Sequence, residues 1–212
     1  MKGLLIKDLC NLKQIGRQTL LVLAVMAAWC AFLNNAQIFS MMMALYSMML
    51  MFTAMSYDEM ANFDKYALTL PVTRADLVRT KYVLLVLLFG AGMLVGLLGE
   101  GIFFLLRGAG ELTLLEQTMS LFTVAVFYLL GFLVLIPVIF RLGMEKARLF
   151  LSLIFVAMFG LIWAGVMLAR SLEIEITEGM VIGAIVAGVL LTAVCFFLSY
   201  RVSLRIVKRK EW

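Results

Sequence analysis

At 212 residues the chain is 65% hydrophobic and only 15% charged, where a soluble domain carries roughly 45–50% apolar residues and about 25% charge. That excludes an ordinary soluble fold and defines an all-α, polytopic integral membrane protein forming one compact domain. The net charge of +5 is not a nucleic-acid signal until the charges are placed, and the complete lack of histidine removes the commonest general base and metal ligand.

In chain order, residues 1–17 form a mixed segment. Leu5, Leu9, Leu12 and Ile15 recur at helical spacing, with Lys2, Lys7, Lys13 and Arg17 among polar neighbours. This predicts a helix lying in the membrane interface, apolar side down; the other reading is a plain extension of the first span. No cleavable signal peptide is expected, because the first apolar run starts only after Arg17 and is followed by no small-residue cleavage site. The 40 residues from Gln18 to Tyr57 carry no formal charge. One crossing needs about 20 residues, so this run is two spans, near 18–33 and 37–56, turning at Asn34-Asn35. Further spans are expected near 82–106, 117–140 (with Pro137 as a kink near its end), 149–169 and 180–200. The membrane domain is thus 18–212.

Six spans place both termini on one side. Of the 18 Lys and Arg, only Arg107 and Arg170 fall on the opposite side. By the positive-inside rule the termini, the 57–81 stretch and the 141–148 turn are cytoplasmic. The basic charge then sets orientation and contacts anionic membrane lipids, with no nucleic acid as partner. No internal repeat supports an inverted-repeat transporter.

The longest charge-rich stretch is 57–81. Read as a helix to Leu70, it groups Met60, Phe63, Ala67 and Leu70 on one face, with Asp58, Asn62, Lys65 and Thr69 opposite. Pro71 ends it. Thr73 then caps a second helix, with Asp76 three residues on in a variant capping box, and that helix runs into the third span. A helix, a break and a bilayer-rooted helix can pass a push from a soluble partner to the membrane. An amphipathic turn resting on lipid headgroups has the same pattern.

Few other residues carry chemistry. Glu100 is the one ionisable group well inside a span, about 10 Å below Arg107. It shares a small-residue face with Gly92 and Gly96. It is either a polar point in a substrate path or a helix–helix hydrogen bond or Arg107 pair. The second span holds Met41, Met42, Met43, Met48, Met49, Met51 and Met55. These either line an adaptable apolar path, Met48 and Met55 being its candidates, or stand in for leucine. Ser40, Ala44, Ser47 and Ala54 look like a packing seam. Glu173, Glu175 and Glu178 form an acidic loop that is either solvated or attractive to cations. Cys10, Cys30 and Cys195 read as small hydrophobes. No phosphate loop, metalloprotease motif or paired intramembrane acids occur, so neither enzyme chemistry nor a metal site is expected.

Asp58-Glu59, Asp64-Lys65-Tyr66, Leu68-Thr69-Leu70-Pro71-Val72-Thr73-Arg74 and Lys81-Tyr82 together resemble the first cytoplasmic loop of type-2 ATP-binding-cassette exporter permeases. The opening Met-Lys-Gly-Leu-Leu-Ile-Lys-Asp-Leu is similar to their start. The resemblance implies a six-helix half-permease of the bacterial cytoplasmic membrane, with an N-terminal elbow helix and a coupling helix over 57–70. That helix would seat on a separate cytosolic ATPase subunit, which binds the ATP and Mg; this chain binds no cofactor. Implied ATPase contacts are Asp58, Glu59, Phe63, Asp64, Lys65 and Tyr66, with Pro71 and Arg74 setting the break. Two halves, identical or homologous, would make the working unit. Members of this size resemble exporters of amphipathic or antimicrobial peptides, including staphylococcal cytolytic modulins. The competing class is a non-ATP membrane protein, such as a secondary transporter or a membrane assembly or immunity factor.

Overall fold

In lipid the backbone must satisfy its own hydrogen bonds, so an apolar chain of this length resolves into helices. The computed structural model describes residues 2–33, 36–67, 69, 72–107, 114–171 and 178–209. These form eight helices and, among the described residues, no strand. They are α1 (Lys2–Gln14), α2 (Gly16–Leu33), α3 (Ala36–Met60), α4 (Phe63–Ala67), α5 (Arg74–Arg107), α6 (Leu114–Leu142), α7 (Met144–Ser171) and α8 (Glu178–Arg209). Six are long and apolar enough to cross a membrane: Gly16–Leu33, Gln37–Met60, Arg74–Leu106, Met119–Leu142, Met144–Leu168 and Ile182–Arg209. Each coincides with an expected span. The Asn34-Asn35 turn, Leu70, Pro71 and the loop holding Glu173 and Glu175 lie outside the described residues.

The chain divides into two compact units, one running to Tyr128 and one covering Leu129–Arg209. In the first, α3 and α5 are the most extensively packed pair. Their contact is a seam of small residues. Ser40, Ala44, Ser47 and Ala54 are buried on α3, and Gly92 and Gly96 approach Ser47 and Ser40 directly. Lipid tails are as apolar as leucine, so helices gain little by hiding apolar surface from them; close backbone approach supplies the dispersion contact instead. α2 joins through a cluster of Met26, Cys30, Phe39 and Met43 and a hydrogen bond from Tyr46 Oη to Thr19 Oγ1 at 3.1 Å. The first half of α6 packs Leu121 and Ala125 on Met93 of α5, and Gln37 Nε2 donates to Ser120 Oγ at 2.5 Å.

In the second unit α6 continues through Pro137 to Leu142. Proline cannot donate to the carbonyl four residues back, which is that of Leu133. Ser199 Oγ of α8 donates to that carbonyl at 2.5 Å. A side chain from a neighbouring helix thus replaces the missing backbone bond, the usual reason proline is tolerated in membrane helices. Gly143, at φ 83°, ends α6 in the left-handed conformation that glycine adopts without strain. Its N–H donates to Ile139 O at 2.9 Å and its carbonyl accepts from Ala147 N at 3.1 Å. The charged turn expected at 141–148 is therefore a single non-helical residue between two long helices.

The 57–81 stretch departs from its expected form. It does not hold one helix to Leu70. α3 runs on to Met60, the chain turns at Ala61-Asn62, and α4 is only five residues long. The cause is local. Asn62 sits at φ 48°, a region that asparagine tolerates better than most residues. The N–H groups of Lys65 and Tyr66 both donate to its carbonyl, at 3.1 and 3.4 Å, which starts α4. Re-aiming the chain separates the expected apolar face: Met60 is 77% exposed, while Ala67 is fully buried. The second helix starts as expected. Thr73 and Asp76 exchange backbone-to-side-chain bonds at 3.3 and 3.2 Å, with their side chains joined at 2.7 Å.

Candidate functional site: a buried ion cluster beneath a short helix

Three helices of the first unit bring charges together at one end. On α1, Leu4 and Asp8 lie four apart and both are buried, so Asp8 extends the inward stripe. On α3, Met51, Ala54, Met55 and Asp58 form one buried stripe ending in a carboxylate. On α5, Leu77, Val78, Lys81, Leu84 and Leu85 do the same with an ammonium group among them. Lys81 Nζ donates to Asp8 Oδ2 at 2.8 Å and to Asp58 Oδ2. Lys7 Nζ donates to Asp58 Oδ1 at 2.5 Å and lies 3.0 Å from Asp8 Oδ1. The four groups are formally neutral together and bridge α1, α3 and α5.

The short helix α4 rests on this cluster. The Phe63 ring lies under Lys7, with Nζ 3.5 Å from its centroid, a favourable cation–π placement. Ala67 packs with Leu4 and Leu77, with Phe63 and Val72 alongside. A cavity of about 10 Å³ lies among Leu4, Asp8, Phe63, Leu77 and Thr80, no larger than one water needs. The arrangement is therefore a joint, with no room for a substrate. Asp8 Oδ1 accepts no well-directed hydrogen bond and depends on the Lys7 charge for compensation.

The expected contact residues divide. Asp58 is buried in the cluster, its carboxylate held by Lys7 and Lys81. Lys7, expected with the exposed basic residues of the first helix, turns inward, and Asp8 is 1% exposed. Phe63 is half-buried beneath Lys7. Glu59, Lys65 and Tyr66 are exposed, and Arg74 opens α5 half-buried. Asp64 belongs to α4, but its side chain is not described. Lys7, Asp8 and Lys81 were absent from the expected site, although the motif stretches that carry the family resemblance contain all three.

The path candidates also turn inward. Met48 is 1% and Met55 5% exposed; within this chain they fill space between helices. Glu100 is buried and accepts a hydrogen bond from Ser40 Oγ of α3, while Ser40 Oγ also lies 2.9 Å from Gln37 O. Of the open readings, the helix–helix hydrogen bond is present; the Arg107 side chain lies outside the described residues. Ser40 has one hydrogen to share between two acceptors. A glutamine amide at 100 could donate to Ser40 and release that hydrogen to Gln37. We therefore expect Glu100→Gln to keep the parent's melting temperature in detergent, and Glu100→Leu to lose about 0.6 kcal/mol, typical of a bond between membrane helices. Thermal unfolding followed by size-exclusion chromatography checks both.

Among the described residues no group of three or more His, Cys, Asp or Glu could hold a metal. Cys10, Cys30 and Cys195 are free thiols.

A multi-pass, all-helical membrane protein with an ionic joint under a short helix at one end is the class this architecture defines. A family model described as ABC-2 family transporter protein matches residues 3–208, and the chain belongs to that family. It is accordingly a permease subunit of an ABC transporter, a family that works with ABC ATPase partners, which sets aside the secondary-transporter and assembly-factor readings. No curated protein matches the chain, and no solved structure does.

Proposed function

We propose that this chain is the half-permease of an exporter for amphipathic or antimicrobial peptides, and that α4 with the turn before it is its coupling element. The observation that carries this reading is the two-sidedness of α4. Its inner side, Phe63 and Ala67, is held against the cluster that ties α1, α3 and α5. Its exposed residues include Lys65 and Tyr66, the latter 60% exposed, and just before it the end of α3 exposes Glu59 and Met60, the latter 77% exposed. Aromatic and methionine side chains ringed by charge are the composition of a docking patch.

The mechanism follows from the joint. A cytosolic ATPase subunit, which binds ATP and Mg, seats on the outer side of α4. When nucleotide closes the ATPase pair, α4 is displaced, and the cluster obliges the ends of α1, α3 and α5 to follow. Two such halves, identical or homologous, open a path between them. The shift requires contacts that differ between two states by a few kcal/mol. The excess of Lys and Arg at this end supports a cytoplasmic position for it and for both termini in a bacterial cytoplasmic membrane.

The test uses the outer side, because an acid at Phe63 would disrupt the joint as well. Met60→Asp/Tyr66→Asp should melt within about 2 °C of the parent, since neither side chain is buried. It should lose the ATPase subunit in a pull-down. Retention of the ATPase by a folded double variant would refute the docking site. ATPase activity indifferent to amphipathic peptides, but raised by another compound class, would refute the cargo.

A further inference from the structure

The outward stripe of α8 changes character along its length. Ser199, Ser203 and Val207 recur every four residues and are buried. On the opposite side Val194, Phe197, Leu198 and Val202 are exposed. Arg201, Arg205, Lys208 and Arg209 continue that same stripe and are also exposed. Their spacing of four, then three or four, puts the four cations on one helical face. Arg201 lies over the Phe197 ring, 4.3 Å from its centroid, so its stem follows the apolar stripe and its charge sits at the stripe's end.

A helix face bathed in water has no reason to present Phe197, Leu198 and Val202 in line with its arginines. A face wholly in hydrocarbon could not carry four cations. The sequence of apolar then basic along one stripe matches a phospholipid, which offers acyl chain and phosphate in the same order.

We propose that the C-terminal turns of α8, Arg201 to Arg209, bind the headgroup phosphates of anionic phospholipids, whose chains lie along Val194, Leu198 and Val202. The site is independent of α4 and its partner. It fixes the depth of α8 in the leaflet where that helix ends.

The test is native mass spectrometry on the purified full-length chain, titrated with phosphatidylglycerol or with phosphatidylcholine. The parent should retain phosphatidylglycerol at least ~5-fold better, the attraction expected of even one basic side chain at a charged headgroup, and the preference should fall as salt rises. Arg201→Gln/Arg205→Gln/Arg209→Gln should lose the preference, and the matching triple lysine variant should keep it. Equal retention of the two lipids by the parent overturns the proposal, as does a folded glutamine variant that binds phosphatidylglycerol like the parent. If that variant keeps its lipid but loses the cytosolic ATPase in a pull-down, the stripe is a protein contact and the proposal also fails. Should the glutamine variant not fold, the parent's lipid preference and its salt response decide.

Discussion

Lys81→Met is expected to cost about 3–5 kcal/mol, the price of leaving a buried charge without its partner. Lys81 is the only group in the cluster that hydrogen-bonds both carboxylates. Without it, Asp8 and Asp58 share the single charge of Lys7, and Asp8 Oδ2 loses the bond it has. The melting temperature should fall by on the order of 10 °C. The double variant Lys81→Met/Asp58→Leu removes one charge of each sign and leaves the Lys7–Asp8 pair. Replacing a buried pair by apolar groups of similar size is often neutral, so the double variant should regain most of the loss. Two results contradict the account: a Lys81→Met protein as stable as the parent, or a double variant no better than the single one. The comparison separates a charge that must be balanced from a lysine that merely fills space.

The spans and the joint differ in how far a sequence reveals them. Crossing a bilayer imposes length and apolarity on consecutive residues, so all six spans could be read directly. The Thr73–Asp76 cap was equally legible, because its partners lie three residues apart. So were both halves of the α3–α5 seam, the small residues of one helix and the glycines of the other, although nothing in their spacing says that they face each other. The cluster was not legible. Lys7, Asp8, Asp58 and Lys81 sit at the ends of apolar runs, where a charge ordinarily marks the emergence into water, and their pairing spans up to 73 residues. A clue was present in register: Asp58 falls in phase with Ala54 and Met55, and Lys81 with Leu77 and Val78, on the faces that become buried. Met60 failed for the opposite reason. Its phase with Phe63 and Ala67 assumed a continuous helix, and one asparagine in the left-handed region broke the phase.

The seam makes the second strong prediction, and there two effects of opposite sign compete. Gly92→Ala improves helix propensity by up to about 1 kcal/mol. A Cβ at 92, however, would lie 2.5 Å from Ser47 Cβ and 2.6 Å from its Oγ, with Met43 O at 3.3 Å. None of these is the yielding tip of a long side chain, and overpacking of this kind costs about 1–3 kcal/mol. The steric term should win, and Gly92→Ala should melt below the parent. The cause can then be isolated by giving the space back. Ser47 Oγ donates to Ala44 O of its own helix at 2.8 Å, so removing it breaks no bond between α3 and α5. Ser47→Gly removes both clashing atoms and lets the methyl group at 92 take their place. Ser47→Gly/Gly92→Ala should therefore be more stable than the sum of the two single changes predicts, a coupling expected only of residues in contact. Additive losses would mean that the two helices do not meet at these positions. The close approach by which α3 and α5 are proposed to carry a displacement of α4 together would then have to be abandoned.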